Sequence, residues 1–344
     1  MTKRYEEQLR HVAMTDLPWE KMTGKNVLIT GATGLIGGCL VDVLMHRPNK
    51  DFKIYAAGRN EARAKERFAA YWHEDDFCFL SFDVVNEVPF DIDFHFIIDA
   101  ASGASPSLYA TDPVGVMQAN IMGVNQLLTY GLHHHLEKFV YVSSGEIYGE
   151  GVGQMFSETD SGYIDCATVR ACYPSSKRAA ETLCVSYAAQ YGLDISIARP
   201  SHVYGAYFSA TDMRVYAQFI RNVLHKEDIV MKSNGEQFRS WCYVMDCVAG
   251  LLFILLKGKN QCAYNIADPQ SNVSIRTLAE LIAKIGCQRV VIELPPEVEK
   301  AGYSVISKAT FSTSRLEALG WRIEGTMEEK LRFTVEEMQT QNRE

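Results

Sequence analysis

Val27-Leu28-Ile29-Thr30-Gly31-Ala32-Thr33-Gly34-Leu35-Ile36-Gly37 is the stretch that decides the fold. A short apolar, β-branched run enters a turn holding three glycines, and a helical pattern, Leu35 to Met45, leaves it. A buried strand running through a glycine turn into a helix is the opening unit of a doubly wound parallel sheet. Gly31 permits the tight turn, Gly34 lets the backbone approach a pyrophosphate, and Gly37 lets the helix pack close. The helix N-terminus then faces the phosphates of a dinucleotide, with Thr33, Leu35 and Ile36 completing its surroundings. The spacing is G-x-x-G-x-x-G rather than the commoner G-x-G-x-x-G.

Outward from this turn the alternation continues. Ile54 to Ala57, Cys78 to Leu80, Phe96 to Ile98, Phe139 to Val142 and Ile195 to Ala198 read as further strands. Helical patterns lie between them at Glu61 to Tyr71, between the fourth and fifth strands, and at Pro174 to Tyr191. Strands alternating with helices of this length predict an α/β, Rossmann-type parallel sheet covered on both faces. After Gly205 the order loosens, with a helix at Val215 to Leu224 and a Pro295-Pro296 pair. The expected division is an extension at 1–24 and a dinucleotide-binding domain at 25–204 plus about 240–266. A smaller, discontinuous α/β substrate lobe takes 205–239 plus about 267–344.

Composition bounds the function. A net charge of −8, with no Lys/Arg stripe, speaks against a nucleic-acid partner. No apolar run reaches the roughly 18 residues that span a membrane. The start of the chain is charged, with no signal-peptide core. Nine scattered cysteines without Cys-x-x-Cys spacing predict neither a disulfide framework nor a zinc site. His133-His134-His135 reads as an exposed helix end, not a metal site. The expectation is a cytoplasmic protein without metal.

The acid usually found at the end of the second strand, which holds the adenosine ribose hydroxyls, is replaced by Gly58-Arg59. Arg59 suits a 2′-phosphate of NADP, or stacks on adenine beside NAD. Asp83 and Val84 follow the third strand and are placed for the adenine. Tyr173 and Lys177 lie four apart at the start of a helix and therefore share a face. An ammonium beside a phenol is expected to hold its proton equilibrium well below the usual value of about 10. Such a tyrosine is a general base for a sugar or alcohol hydroxyl near neutral pH.

The glycine turn, Ser144 and the Tyr173/Lys177 pair together resemble the extended short-chain dehydrogenase/reductase family, and within it the nucleotide-sugar epimerases, dehydratases and decarboxylases. Arg199-Pro200-Ser201-His202-Val203-Tyr204-Gly205, Gly235-Glu236-Gln237-Phe238-Arg239-Ser240-Trp241, Tyr264-Asn265-Ile266-Ala267 and Leu319-Gly320-Trp321 follow in the family's order. Two stretches are most similar to the UDP-glucuronate decarboxylase branch. They are Arg170-Ala171-Cys172-Tyr173 with Lys177-Arg178, and Ala101-Ser102-Gly103-Ala104-Ser105-Pro106 continuing to Tyr109 and Pro113. Arg214-Val215 with Phe219-Ile220 echoes that branch's substrate lobe.

The resemblance implies NAD as cofactor, with NADP left open by Gly58-Arg59. It adds Ala100, Ala101 and Ser102 to the cofactor site, a UDP-linked sugar as substrate, and a homodimer. It gives Tyr173 the role of base, Lys177 that of lowering its pKa and binding the nicotinamide ribose, and Ser144 that of orienting O4. Glu146 would serve C5 or ring chemistry after oxidation at C4. Ser105, Glu146, Arg170, His202, Arg214 and Arg239 would meet the substrate, Arg239 gripping a diphosphate or a carboxylate. Gly145 stands where dehydratases carry an acid and decarboxylases a serine, and His202 where the family usually has asparagine. Decarboxylation is therefore expected before 4-epimerisation, and that before 4,6-dehydration. A net NAD(P)H-dependent reductase and a non-catalytic dinucleotide binder are the readings from other classes.

Overall fold

In the computed structural model, which describes residues 1–151, 155–210, 212–294 and 308–341, the apolar runs read as strands at 27–30, 54–57, 78–80, 96–98, 139–142 and 195–198 all become parallel strands. The chain begins with α1 (Lys3–Ala13), followed by β1 (Lys25–Thr30), α2 (Leu35–Met45) and β2 (Phe52–Gly58). Then come α3 (Glu61–Arg67), β3 (Phe77–Ser81) and β4 (Phe96–Asp99). Helices α4 (Pro106–Thr111) and α5 (Pro113–His133) lead to β5 (Lys138–Val142), and α6 (Cys172–Tyr191) leads to β6 (Ile195–Pro200).

Beyond β6 the elements shorten. They are β7 (His202–Tyr204), α7 (Val215–Leu224), β8 (Ile229–Met231), β9 (Phe238–Tyr243), α8 (Val244–Lys257) and β10 (Cys262–Ile266). β11 (Asn272–Ser274), α9 (Ile275–Gly286), β12 (Val290–Ile292), β13 (Lys308–Ala309), α10 (Ser314–Glu317) and α11 (Met327–Gln341) complete the described chain. The Pro295-Pro296 pair lies outside the described residues.

Seven strands in the order β10-β6-β5-β4-β1-β2-β3 form one parallel sheet. Side-chain alternation divides its core. Leu28, Ile97, Phe139 and Tyr141 pack towards Leu127 and Leu128 of α5 and Ala180 and Cys184 of α6. Val27, Ile29, Ile98 and Val140 face Val43 and Leu44 of α2 and Val248 and Leu251 of α8. With both faces buried, the strands need continuous rather than alternating apolar sequence. The order reverses at β1, whose neighbours are β2 and β4, so the crevice for a ligand opens at the carboxyl ends there. A second sheet, β11-β9-β13 with β7 also paired to β9, and a parallel β8/β12 pair build the other lobe.

Three boundaries differ from the sequence expectation. The third helix ends at Arg67, four residues early, because Phe68 turns inward to full burial and Tyr71 packs on Phe77. The single helix expected between β4 and β5 is two, divided at Asp112-Pro113. A residue before proline avoids the helical region, and the Asp112 carboxylate caps α5 by accepting from Gly115 N at 3.0 Å. Helix α6 starts at Cys172 rather than Pro174, so both Tyr173 and Lys177 lie within it.

Candidate active site

The glycine turn is closed by contact rather than by side chains. Gly31 has φ +62°, and a Cβ there would lie 2.4 Å from the Ala100 carbonyl oxygen and 2.8 Å from the Ala101 nitrogen. A Cβ on Gly37 would lie 2.5 Å from the Gly31 carbonyl oxygen. Gly34 occupies the N-cap of α2 and has no side chain to satisfy its first N–H groups, which leaves them to a ligand. Leu35 and Ile36 turn into the core, and the Thr33 carbonyl accepts from Arg63 at 3.1 Å. Backbone donors at a helix start, with no Cβ in the way, are what a pyrophosphate requires.

Around the turn, Arg59 and Asp83 meet at 3.6 Å across the tips of β2 and β3. The arginine that suits a 2′-phosphate therefore already faces a carboxylate, a pairing that favours the unphosphorylated ribose of NAD. Val84 is buried against Gly123 of α5. The Ala101 nitrogen donates to Thr30 Oγ1 and Asp99 Oδ1, both at 3.2 Å. Ser102 donates to Asn120 Oδ1 at 2.8 Å, Asn120 donates to Ser176 Oγ at 2.9 Å, and Ser176 donates to the Tyr173 carbonyl. This chain of bonds joins the loop after β4 to the helix that carries Tyr173 and Lys177.

Tyr173 and Lys177 are both buried. Lys177 Nζ donates to the Val142 carbonyl at 2.8 Å and lies 4.7 Å over the Tyr141 ring. Burial pushes its amine down to about 8, opposed by the Asp99 and Glu181 carboxylates. Burial also pushes the Tyr173 phenol up to about 12, with Glu146 adding to the rise. A hydrogen bond with Ser144 and the Arg214 and Arg170 guanidiniums act the other way. The expectation of a phenol held low by Lys177 is thus not met here. The ammonium points at a backbone carbonyl, 5.9 Å from the Tyr173 ring centre, and apolar neighbours disfavour the phenolate.

Ser144 caps the short turn Gly145–Tyr148, accepting from Glu146 N at 3.1 Å, which aims the Glu146 carboxylate at Arg170, 2.7 Å away. The Arg170 guanidinium stacks 4.7 Å over Tyr109, and Tyr109 stacks 4.9 Å from Tyr173. Arg214 is held by Asp212 and Tyr216. Arg239 is buried and donates to the Phe238 carbonyl at 3.1 Å; burial lowers its pKa, and the Glu146 charge opposes that shift. His202 opens onto the cleft but is surrounded by protein. Desolvation, then Arg239 and Arg214, push it down to about 3, so it is neutral near pH 7. Two arginines, Arg170 and Arg239, thus face Glu146, while Arg214 is paired with Asp212 and acts on Tyr173 together with Arg170. Ser105 stands apart from this cluster, bonded to Ser107 at 2.9 Å.

Four residues enter that sequence reading did not assign a role. Tyr109 figures in the sequence only as part of the stretch that carries the resemblance, Asp212 carries no motif, Asn120 is a polar interruption in an apolar helix, and Phe311 arrives from far along the chain. A Cβ on Gly145 would lie 2.6 Å from the buried Phe311 ring. Gly145 is therefore a packing requirement as well as a missing functional group. Among the described residues no cluster of three or more His, Cys, Asp or Glu side chains could hold a metal. Nor is any described helix long and apolar enough to cross a membrane.

Comparison with known proteins agrees with this geometry. UDP-glucuronic acid decarboxylase 6 of Arabidopsis thaliana is 31% identical over 315 residues, covering 90% of this chain and 88% of the relative. UDP-glucuronic acid 4-epimerase from Bacillus cereus, solved with UDP-glucuronic acid and NAD, superposes with a TM-score of 0.79 at 20% identity. That superposition covers 92% of this chain and 99% of the other. UDP-glucose 4-epimerase from Thermotoga maritima, solved with UDP-glucose, gives 0.78 at 23% identity, covering 93% and 100%. The NAD dependent epimerase/dehydratase family matches residues 27–267, from the first residues of β1 to just beyond β10. By that match and the decarboxylase likeness along nine-tenths of its length, the chain belongs to the NAD-dependent epimerase/dehydratase family.

Proposed function

We propose that this enzyme decarboxylates UDP-glucuronate to UDP-xylose through a transient 4-keto sugar. The observation that carries the reading is the Glu146–Arg170 pair beside Tyr173, with Arg214 acting on the same phenol and Arg239 on the same acid, cations that fit a substrate with two anionic parts. The decarboxylase relative, 31% identical over most of both chains, supports it. The Gly31–Gly37 turn would hold NAD, which would supply the reversible hydride acceptor for oxidation at C4. Tyr173 takes the O4 proton, with Ser144 holding O4 in line. Lys177 supplies the positive charge next to them and a donor for the ribose. The 4-ketone makes the C6 carboxylate that of a β-keto acid, so it leaves as carbon dioxide. A proton then replaces it at C5, and Glu146 is placed to deliver or relay that proton. Arg214 and Arg239 hold the diphosphate, and Arg170 receives the sugar carboxylate.

A second reading, 4-epimerisation of UDP-glucuronate, draws on the bare Gly145 and on the Bacillus cereus enzyme of the same architecture. It shares the first step and keeps all carbons. Incubation with UDP-glucuronate labelled at C6 separates the two. Decarboxylation releases labelled carbon dioxide and yields a UDP-pentose by mass spectrometry. Full retention of the label in a new UDP-hexuronate would instead establish the epimerase. Glu146→Gln is expected to stop gas release while bound NAD is still reduced. Tyr173→Phe should abolish both.

The assembly and compartment are part of the same reading. Val114, Met117 and Met122 on α5 and Val185 on α6 are exposed apolar residues on the paired helices, which fits a homodimer formed through that face. All nine cysteines are free thiols, which fits the cytoplasm.

A further inference from the structure

We propose that Asp99 is a positioning residue of this site: the buried anion that holds the Lys177 ammonium in place beside the Tyr173 phenol. The inference deepens the catalytic reading of the Tyr173–Lys177 pair and rests on it. The sheet register places Asp99. Thr30 of β1 lies opposite Asp99 of β4, and Asp99 lies opposite Tyr141 of β5. Side chains that share a register position leave the same face of a sheet, here at its carboxyl end and under α6. From α6, Lys177 reaches down to 4.7 Å above the Tyr141 ring and 2.8 Å from the Val142 carbonyl. The ammonium and the Asp99 carboxylate therefore border the same Tyr141 ring in one dry space, 1% and 2% exposed, more than 4 Å apart, so that the carboxylate acts on the ammonium through space.

Asp99 is fixed there. Its Oδ1 accepts from the Thr30 hydroxyl at 2.5 Å and from Ala101 N at 3.2 Å. The groups facing Lys177 are Asp99 from β4, Tyr141 from β5, and Tyr173, Glu181 and Cys184 from α6 itself. Burial keeps Tyr141 and Cys184 protonated and neutral. Glu181 is engaged by the Arg199 guanidinium, Nε at 3.0 Å and Nη2 at 2.6 Å, and by the Ser143 hydroxyl at 2.5 Å. Asp99 acts on Lys177 ahead of Glu181, and although burial raises the pKa of Asp99 itself, the Thr30 hydroxyl, the Lys177 ammonium and Ala101 N favour its charged form. A buried ammonium without an opposing anion loses its proton readily, and with it its grip on a ribose or phenol. Thr30 and Ala101 border the Gly31 turn, so one carboxylate couples the cofactor cradle to the catalytic pair.

The test needs no sugar nucleotide, so its outcome is independent of which sugar the enzyme takes. Full-length protein carrying [ε-13C]lysine is titrated by NMR, with the Lys177 resonance identified by its loss in Lys177→Arg. In Asp99→Asn, which keeps the acceptor for Thr30 and Ala101, the Lys177 proton affinity is expected to fall about tenfold. Asp99→Ser, which keeps a smaller acceptor, is read in the same way if the asparagine variant does not fold. A lowered melting temperature with the Lys177 midpoint unmoved within twofold would mean that Asp99 is structural only, and overturns the proposal.

Discussion

Burial opposes charge on both members of the Tyr173–Lys177 pair, and that opposition can be measured on each side chain. The Lys177 amine falls from its ordinary 10.5 to about 8 on folding. Below pH 8 both the folded and the unfolded chain hold the proton, and the folded state bears the cost of a dry ammonium. At about 1.36 kcal/mol per unit, that cost is on the order of 3 kcal/mol. Between pH 8 and 10.5 the unfolded chain holds more protons, so the cost shrinks with rising pH, and above 10.5 it is gone. Lys177→Met is therefore expected to be more stable than the parent near pH 7 and inactive, its advantage narrowing towards pH 10. Urea unfolding at the two ends of that range checks it, and an advantage independent of pH would contradict it. Stability given up for function is the usual character of such positions. The Tyr-x-x-x-Lys spacing makes the pair legible in the sequence. Its protonation is not, because the walls that set it, Tyr109, Tyr141 and Asp99, come from segments far from α6.

At the scale of elements, the loop Ser144-Gly145-Glu146 and the strand end at Phe311 are one unit. β13 pairs with β9 at Ala309–Arg239, and Ser240 Oγ accepts from Phe311 N at 3.2 Å. Phe311 then packs with Phe156 and Tyr148 and covers Gly145. The arginine of β9 and the acid of the loop thus share one aromatic wedge. Gly145→Ser, which restores the side chain found in decarboxylases, should cost about 1–3 kcal/mol through overpacking. Phe311→Leu in that background should recover part of the loss. Denaturation of the parent, both single variants and the double closes a cycle, and strictly additive losses would rule the wedge out. The sequence could not reveal this contact, which joins residues from opposite halves of the chain. For the same reason the large sheet was legible and the small one was not. Runs such as Phe139 to Val142 announce themselves as buried strands, whereas β7, β8, β11, β12 and β13 hold two or three residues each. Strands that short have no readable period and exist only through their partners.

At the scale of the molecule, the N-terminal helix is the unexpected part: an extension by sequence, a brace by structure. Tyr5, Leu9, Val12 and Ala13 of α1 are buried in the main core, and α1 packs on α2 and α8 behind the large sheet. At its start, Thr2 donates to the buried Glu337 of α11, which also accepts from Tyr207 at 2.6 Å. Arg4 pairs with Glu336 and stacks 3.8 Å over Phe333. Helix α11 in turn packs on α7 and α9 of the second lobe, and its Lys330 reaches Asp246 of α8 at 2.7 Å. Helix α1 therefore touches elements that serve both walls of the cleft, and loosening it should be felt by both. Leu9 is fully buried, and Leu9→Ala should cost about 2–5 kcal/mol. If α1 braces the two lobes together, calorimetry will show one cooperative transition displaced to lower temperature, with tryptophan fluorescence and far-ultraviolet circular dichroism coincident. If it merely decorates the large sheet, the melt will split, and the transition belonging to the second lobe will stay where it was.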